Sequence, residues 1–278
     1  MLPLFVVLIP DGDCATFLFR MGANGCENNK QYLLAYNIRD PMIHLKSIAL
    51  SLEKCPTREY YPFNLHVFQE KCQLDFISPV TFLTGENGTG KSSLLQALAQ
   101  KCRIHIWEGI ERTRFESNPY EGMLFKFISV HWRNGTVPGS YFDSEISKNF
   151  AQCLDEWAAS DPGILEYFGG KSLMTQSHGQ SLMSFFKARY KFRGLYLLDE
   201  PETALSPRSQ LELLQVLKDN SGAGHAQFII ATHSPILMAC PGATIYSFDD
   251  APVKTIDYER TEHYRIYRDF MKDRSKYL

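Results

Sequence analysis

The sequence lacks the cysteine spacing of a disulfide framework or a zinc site. Its seven cysteines are an odd number, and none of them stands in a C-x-x-C pair. Paired or regularly spaced cysteines would be needed to staple a small secreted fold or to hold a metal. We therefore expect reduced, buried thiols and a cytoplasmic protein.

Long hydrophobic runs and heptad repeats are also missing. The apolar segment Leu2–Ile9 is too short to cross a bilayer. It follows no basic residue and precedes no small-residue cleavage site, which argues against a signal peptide. Residues 101–180 contain no heptads, which excludes a long coiled-coil arm. We expect no membrane span.

Neither sign of charge is in excess. The chain has 29 basic and 31 acidic residues and a net charge of −2. This balance gives no electrostatic case for nucleic-acid binding, although it leaves a local basic patch open. With 278 residues, 44% of them hydrophobic, the chain can form one large globular domain or a core with a smaller lobe.

A complete phosphate-loop motif stands at Gly85–Ser92, which reads Gly-Glu-Asn-Gly-Thr-Gly-Lys-Ser. It fits G-x-x-x-x-G-K-[ST] at every fixed position. The run Pro79–Thr84 before it is apolar and β-branched, as in a strand. Ser93–Gln100 after it is rich in helix formers, with three leucines on one face. The alternative is a glycine-rich turn with a chance lysine, but both flanks favour the motif.

The chemistry of this loop is specific. Its glycines allow backbone angles that let successive N–H groups turn around one anion, and the following helix adds its N-terminal dipole. Lys91 is expected to reach the β- and γ-phosphates, and the Ser92 hydroxyl is expected to bind Mg²⁺. The predicted nucleotide contacts in this segment are Gly85, Glu86, Asn87, Gly88, Thr89, Gly90, Lys91, Ser92 and Ser93.

An acidic pair follows a second apolar run. Gly194–Leu198 resembles a buried parallel strand and ends in Asp199 and Glu200. Ligands of parallel sheets collect beyond the carboxyl ends of the strands. We expect Asp199 to hold Mg²⁺ through water, in the manner typical of this cation, and Glu200 to deprotonate the attacking water. The alternative is a pair of turn residues that end a strand.

A histidine follows a third strand-like run. Gln227–Thr232 is apolar, and His233 comes directly after it. From that edge of the sheet His233 could donate a hydrogen bond to a γ-phosphate oxygen. A purely structural histidine is the alternative.

Together these segments resemble the ATP-binding-cassette (ABC) ATPases, and more narrowly the small stand-alone ATPases often labelled AAA family or ABC-like. The resemblance covers about residues 40–278. It implies an α/β P-loop NTPase fold with a mixed central sheet, an antiparallel β subdomain and a helical lid. The segments that carry it are Tyr61–Leu65, Gly85–Ser92, Ser177–Ser181, Leu195–Glu200, Pro201–Ser206, Ala231–Ser234 and Ser247–Asp250.

The resemblance also implies roles. Glu200 matches the catalytic glutamate and His233 the switch histidine, so the expected catalytic residues are Glu200, His233 and Lys91. Ser177, Gly179 and Gln180 match a signature loop that caps the nucleotide of a second subunit in a head-to-tail dimer. His178 departs from the glycine of transporter ATPases. A polar helix cap is the alternative reading of this loop.

Two family elements stay open at this point. A magnesium-sensing glutamine could be Gln152 or Gln176. An adenine-stacking aromatic residue could be Tyr60, Tyr61 or Phe63, although such residues more often pack in a core.

The resemblance also suggests the organisation of the chain. We expect residues 1–41 to form an N-terminal extension that is poorly ordered or that results from a start codon assigned too far upstream. The alternative is an accessory hairpin. An ABC-like domain is expected at 42–278, with a lid insertion at about 101–185. Expected strands of the antiparallel part are Ile43–Leu50, Leu65–Phe68, Leu74–Ile77 and Val80–Thr84; Phe125–Val130 is a further strand, and Ile146–Trp157, Ser181–Arg189, Ser209–Asp219 and Thr261–Lys276 are expected helices.

The function expected from all of this is a cytoplasmic ATPase that binds ATP and Mg²⁺ and hydrolyses MgATP in an ATP-dependent, head-to-tail homodimer, with hydrolysis coupled to an unknown effector protein. Two alternatives remain: an ATP-gated switch or scaffold with little turnover, and the ATPase subunit of a membrane transporter.

Overall fold

The computed structural model describes residues 43–70, 72–106, 118–143, 155, 156, 158–160, 163, 165, 172 and 178–278. All of them belong to one compact unit, Asp40–Leu278. Parts of the prediction lie outside the described residues. They are the N-terminal extension, several segments of the expected lid, the helix Ile146–Trp157 except for Asp155 and Glu156, and the residues Gln152, Gln176 and Ser177. The predicted domain limits therefore stay predictions.

A six-stranded sheet forms the centre of the unit. Its order is β5-β6-β7-β3-β8-β9, and every neighbouring pair is parallel except β8 and β9. The strands are β3 Val80–Thr84, β5 Gly139–Asp143, β6 Gly194–Asp199, β7 Ala226–Ala231, β8 Thr244–Ser247 and β9 Lys254–Thr255.

The three middle strands are buried along their whole length. Such continuous burial is typical of parallel strands that are covered on both faces. Val80–Thr84 was expected in the antiparallel part, and that prediction was wrong, because its neighbours are β7 and β8 on parallel registers.

A separate three-stranded antiparallel sheet has the order β2-β1-β4. Its strands are β1 Leu45–Leu50, β2 Gln73–Asp75 and β4 Ile128–Trp132. Ile48 of β1 faces Leu74 on one side and Val130 on the other. The mixed central sheet and the antiparallel sheet confirm the expected fold class.

Two expected strands are partly or wholly 3₁₀ helix. His66–Phe68 is a 3₁₀ turn in which Val67 and Phe68 are both buried. Adjacent residues of a half-buried strand would point to opposite faces, so burial of both favours a turn. Similarly, Leu124–Phe127 is 3₁₀ and the strand begins only at Ile128.

Helices cover both faces of the central sheet. They are α1 Lys91–Lys101, α2 His178–Arg189, α3 Pro207–Gly222, α4 Pro235–Met238 and α5 Glu262–Lys272. Alternation along each strand separates two cores. Leu83 packs in the core that contains α1 and the antiparallel sheet, whereas Phe82 packs in the core that contains α2, α3 and α4.

Helix α3 extends past its expected limits, Ser209–Asp219. It begins at Pro207, where the Ser206 hydroxyl caps the N–H of Ser209, and it ends at Gly222. The leucine spacing of this segment predicts that Leu211, Leu213, Leu214 and Leu217 face inward; Leu213 and Leu217 are buried, but Leu211 is 57% exposed. Leu211 therefore does not belong to the inner side of the helix.

Gln227 ties the two sheets together. Its Oε1 accepts hydrogen bonds from the N–H groups of His44 and Leu45, both at 2.8 Å, and its Nε2 donates to the Leu45 carbonyl at 3.0 Å. The side chain is fully buried, and all of these polar groups are satisfied by one another. This contact fixes the start of β1 against β7.

Among the described residues, no helix combines the length and the apolar character that a membrane crossing requires.

Candidate nucleotide-binding site

The loop Gly85–Gly90 connects β3 to α1, as the motif requires. Gly85 has φ +145°, and a Cβ there would lie 2.9 Å from Oδ1 of Asp249. Gly90 precedes the helix with φ +105°, where a Cβ would come within 3.2 Å of Phe68. Both positions therefore need glycine. Gly88 also has a positive φ, of +80°, and lies in open space.

Lys91 is folded back into its own loop. The side chain is 3% exposed, and Nζ donates to the carbonyls of Gly85 at 2.7 Å and Glu86 at 2.8 Å. Burial lowers its pKa, whereas nearby carboxylates, Glu200 and Asp199 foremost, raise it. The loop thus holds a cation at its centre, within reach of an anion that entered from the sheet edge.

The remaining predicted loop contacts lie around this centre. Glu86 and Asn87 are exposed. The Thr89 hydroxyl donates to the Glu86 carbonyl at 2.9 Å, which braces the turn. The Ser93 hydroxyl lies 2.9 Å from the hydroxyl of Tyr61, so Ser93 is placed towards the outer side of the loop.

Ser92 and Asp199 meet. The Ser92 hydroxyl donates to Oδ1 of Asp199 at 3.0 Å, although 107 residues separate them. They come together because β3 and β6 both flank β7 and end at the same edge of the sheet. Tyr141 of β5 donates to Oδ2 of the same carboxylate at 3.2 Å.

This pair fits Mg²⁺. Hydroxyl and carboxylate oxygens suit the cation, which usually takes one or two protein ligands and completes its shell with phosphates and water. The described residues contain no cluster of three or more His, Cys, Asp or Glu side chains that could hold a metal ion. Ser92 and Asp199 would be the protein ligands.

Asp199 is a buried acid whose pKa is raised. Burial raises its pKa to about 7, and the neighbouring carboxylates of Asp143 and Glu200 add to the rise, whereas the hydroxyls of Ser92 and Tyr141 oppose it. The folded protein therefore binds this proton more tightly than the unfolded chain does. The stabilisation that results is complete below the unfolded pKa of 3.8 and is lost as the pH rises through about 7.

We expect Asp199→Asn to stabilise the nucleotide-free protein more at pH 8 than at pH 5. The substitution removes a buried charge whose pKa moves from 3.8 to about 7, a cost of at most about 4 kcal/mol. Thermal unfolding of both proteins at the two pH values measures this. Asp250→Asn, whose side chain is 72% exposed, is the control and should show no such dependence. An equal gain at both pH values would contradict the burial argument.

Glu200 adopts a left-handed backbone conformation, with φ 43° and ψ 54°. This region is sparsely populated for residues with a side chain, and such outliers cluster at functional sites. Its N–H donates to the Ala231 carbonyl, and its Oε1 lies 3.4 Å from Nε2 of His233. Two of the predicted catalytic residues are thus adjacent.

His233 is held from two sides. Its backbone N–H donates to Oε1 of Glu202, and its Nδ1 lies 2.8 Å from Nε2 of His263. Nε2 of His233 is buried and, within the described part of the chain, has no partner of hydrogen-bond geometry. Burial lowers the pKa of His233, as do the positive charge of Lys91 and His263, so the neutral imidazole is favoured.

The signature segment is described only in part. Ser177 lies outside the described residues, whereas Gly179 and Gln180 lie in the first turn of α2. A Cβ on Gly179 would be 3.4 Å from the carbonyl of Ala204. This end of α2 therefore packs against the segment Pro201–Ser206 of its own chain.

The three candidate adenine contacts comprise one buried core residue and two exposed tyrosines. Phe63 is 2% exposed and packs edge-on against Phe127 at 5.3 Å, so it belongs to the core. Tyr60 and Tyr61 are 55% and 41% exposed, and Tyr60 lies 5.6 Å from the ring of Tyr120. Either exposed tyrosine could contact a base.

Four further residues belong to the site. Asp249 accepts the N–H of Glu86 at 2.8 Å and so fixes the start of the loop. Tyr141 bonds Asp199, as described above, and Asp143 pairs in register with it. His263 contacts His233. Asp249 and Asp143 stand at strand ends, and this position could have identified them from the sequence as candidate site residues. No sequence signal identifies Tyr141 or His263.

Two family models match the chain. One, described as "AAA domain, putative AbiEii toxin, Type IV TA system", matches residues 181–239, and the other, described as "AAA domain", matches residues 63–101. The first range contains the acidic pair and His233, and the second contains the phosphate loop. The two matches therefore cover the separate segments that the fold brings together.

Two curated proteins are similar to the chain. The macrolide export ATP-binding/permease protein MacB of Psychrobacter cryohalolentis is 26% identical over 203 residues, which are 64% of this chain and 29% of that protein. The thiamine import ATP-binding protein ThiQ of a Ruegeria species is 25% identical over 162 residues, 54% of this chain and 69% of that protein. The chain thus spans less than a third of MacB.

Solved structures of low identity also resemble it. The SMC head domain from Thermotoga maritima is 16% identical, with 77% of this chain and 98% of that chain covered and a TM-score of 0.41. CbiO1 from Clostridium perfringens is 16% identical, with coverage of 84% and 97% and a TM-score of 0.45. Such low TM-scores add no argument. The loop geometry, the two family models and the two curated relatives together support an ABC-like P-loop ATPase.

Proposed function

We propose that this protein binds MgATP and hydrolyses it to ADP and phosphate. The observation that carries the proposal is the hydrogen bond between Ser92 and Asp199. It joins the phosphate loop to the acidic strand end, which is the arrangement that phosphoryl transfer needs. The two family models and the two curated relatives support the same conclusion.

Binding of the triphosphate depends on the loop. Its backbone N–H groups and the N-terminus of α1 provide an anion site. Nζ of Lys91 would exchange its hydrogen bonds to the Gly85 and Glu86 carbonyls for hydrogen bonds to phosphate oxygens. The side chain would stay in the loop while its acceptors change. Ser92 and Asp199 would hold Mg²⁺, which supplies neutralisation of phosphate charge when bound.

Hydrolysis would use the neighbouring acid. Water attacks the γ-phosphorus in line with the bond to ADP, which breaks, and Glu200 accepts the proton of that water. His233 donates a hydrogen bond to a γ-phosphate oxygen from its buried Nε2. In support of these roles, Oε1 of Glu200 lies 3.4 Å from Nε2 of His233.

The proposal includes a head-to-tail homodimer in which Ser177, Gly179 and Gln180 of one subunit cap the nucleotide of the other. In its support, Gly179 and Gln180 lie at the beginning of a helix of 12 residues, where N–H groups favour an anion. An effector protein and a cytoplasmic location are part of the same proposal.

Phosphate release from MgATP by the purified full chain tests the function. We expect turnover that requires Mg²⁺ and whose rate per subunit rises with protein concentration, because two chains complete each site. Chelation of Mg²⁺ should abolish it. Calorimetry with MgATP should show binding in the same samples.

Other outcomes separate the alternatives. MgATP binding without phosphate release would favour an ATP-gated switch, and the absence of MgATP binding would overturn the proposal. The similarity to the macrolide export protein MacB and the thiamine import protein ThiQ favours a second candidate, the ATPase subunit of a transporter. Co-purification with a multi-span permease would support it.

A further inference from the structure

The C-terminal helix reaches the catalytic edge of the sheet through one side chain. His263 lies in the first turn of α5, and its Nε2 is 2.8 Å from Nδ1 of His233. The two rings meet edge to face, with centroids 4.8 Å apart. His263 lies outside the phosphate loop and the acidic pair. It also lies outside both segments that the family models match.

The approach of His263 is braced by its neighbours. Tyr258 donates from its hydroxyl to the Pro235 carbonyl at 3.0 Å, and Thr261 donates from its hydroxyl to the Tyr258 carbonyl at 2.7 Å. Thr261 is 1% exposed. Because Pro235 lies two residues after His233, the start of α5 is anchored to the same segment that carries the switch histidine.

The contact constrains where the proton of His233 resides. A neutral imidazole has one N–H and one lone pair, and the bond made by one nitrogen sets the tautomer. If Nδ1 of His233 donated to His263, the lone pair on its Nε2 would face the Glu200 carboxylate 3.4 Å away, which is repulsive. If instead Nδ1 accepts from His263, Nε2 carries the proton and faces Glu200 as a donor.

We propose that His263 is a positioning residue for His233. Its Nε2–H donates to Nδ1 of His233, and this holds His233 as the Nε2–H tautomer, ready to donate to the γ-phosphate. Nε2 of His233 is buried and makes no hydrogen bond of normal geometry within the described residues, and the Glu200 carboxylate that it faces is 3.4 Å away. This N–H can therefore transfer from that long contact to a γ-phosphate oxygen when the ligand binds. The identity of the ligand, a γ-phosphate, rests on the proposed function. The tautomer of His233 does not depend on that function.

The test compares His263→Phe, which keeps a ring but has no donor, with His263→Gln, whose amide can donate. The ring ¹⁵N shifts of His233 are measured by NMR in the full chain without nucleotide. We expect wild type and His263→Gln to show the Nε2–H tautomer, and His263→Phe to lose it. MgATP turnover should fall about tenfold in the Phe variant, as expected for one misplaced hydrogen bond, and recover in the Gln variant.

Ile266→Ala, an exposed position of the same helix, is the control for damage to α5 and should match wild type in both readouts. An Nδ1–H tautomer in wild type would overturn the proposal. So would a turnover loss in His263→Phe with unchanged His233 shifts. Failure of the proposed function is separate, since it would appear as no MgATP turnover in wild type whatever the tautomer.

Discussion

Replacing Glu200 with glutamine is expected to lower MgATP turnover by about 10²–10⁴-fold, the range over which a general base contributes. The substitution keeps the size and shape of the side chain but removes the group that accepts the proton from water. Binding of MgATP should persist, because Lys91, Ser92 and Asp199 are unchanged. Phosphate release and calorimetry on the same preparations measure the two effects.

Glu212→Gln is the matched control for this substitution. Glu212 lies on the outer face of α3, where it pairs with Lys187 at 3.2 Å and is 45% exposed. Its loss should leave turnover unchanged, since exposed ion pairs contribute little. If wild type and Glu200→Gln both bind MgATP and neither releases phosphate, hydrolysis is refuted and the switch alternative stands.

Replacing Lys91 with alanine is expected to weaken MgATP binding by about 100-fold or more, as the loss of hydrogen bonds from a cation to phosphate implies. The fold should tolerate this change. Burial lowers the pKa of this lysine, so its removal relieves a desolvated cation even as the carbonyls of Gly85 and Glu86 lose a donor. Calorimetry measures the affinity, and thermal unfolding checks the fold.

Lys101→Ala tests whether the effect belongs to the loop. Lys101 is the last residue of the same helix, α1, and it is partly exposed. Removal of its charge should leave MgATP affinity within about twofold of wild type, because a partly exposed charge one helix length away is screened. Equal weakening in both variants would contradict a specific role for Lys91.

The parts of the site that were predictable lie in continuous motifs. The loop Gly85–Ser92 can be recognised from the sequence, because its glycines, lysine and serine must follow a strand in a fixed order. Asp199 and His233 were recognisable because each ends a buried strand, and parallel strands bring their carboxyl ends to one edge. The structure places these segments together as expected, while the roles of the residues stay predictions.

The parts that were missed depend on distant contacts. Gln227 looked like the start of an apolar strand, and only the fold shows that it satisfies His44 and Leu45 across the two sheets. His263 belongs to a charged helix, and its position in the sequence carries no signal that it contacts His233. Local patterns likewise misplaced the segment Leu65–Phe68, since a four-residue apolar run fits a strand or a turn equally well.

The order of strands has a consequence for how this protein comes into being on the ribosome. β3 carries the phosphate loop, yet both of its neighbours, β7 and β8, are synthesised more than 140 residues later. Until they emerge, the edges of β3 offer unpaired backbone groups to other chains. During that interval β3 has two unpaired edges, and the phosphate loop that follows it has no completed sheet to support it.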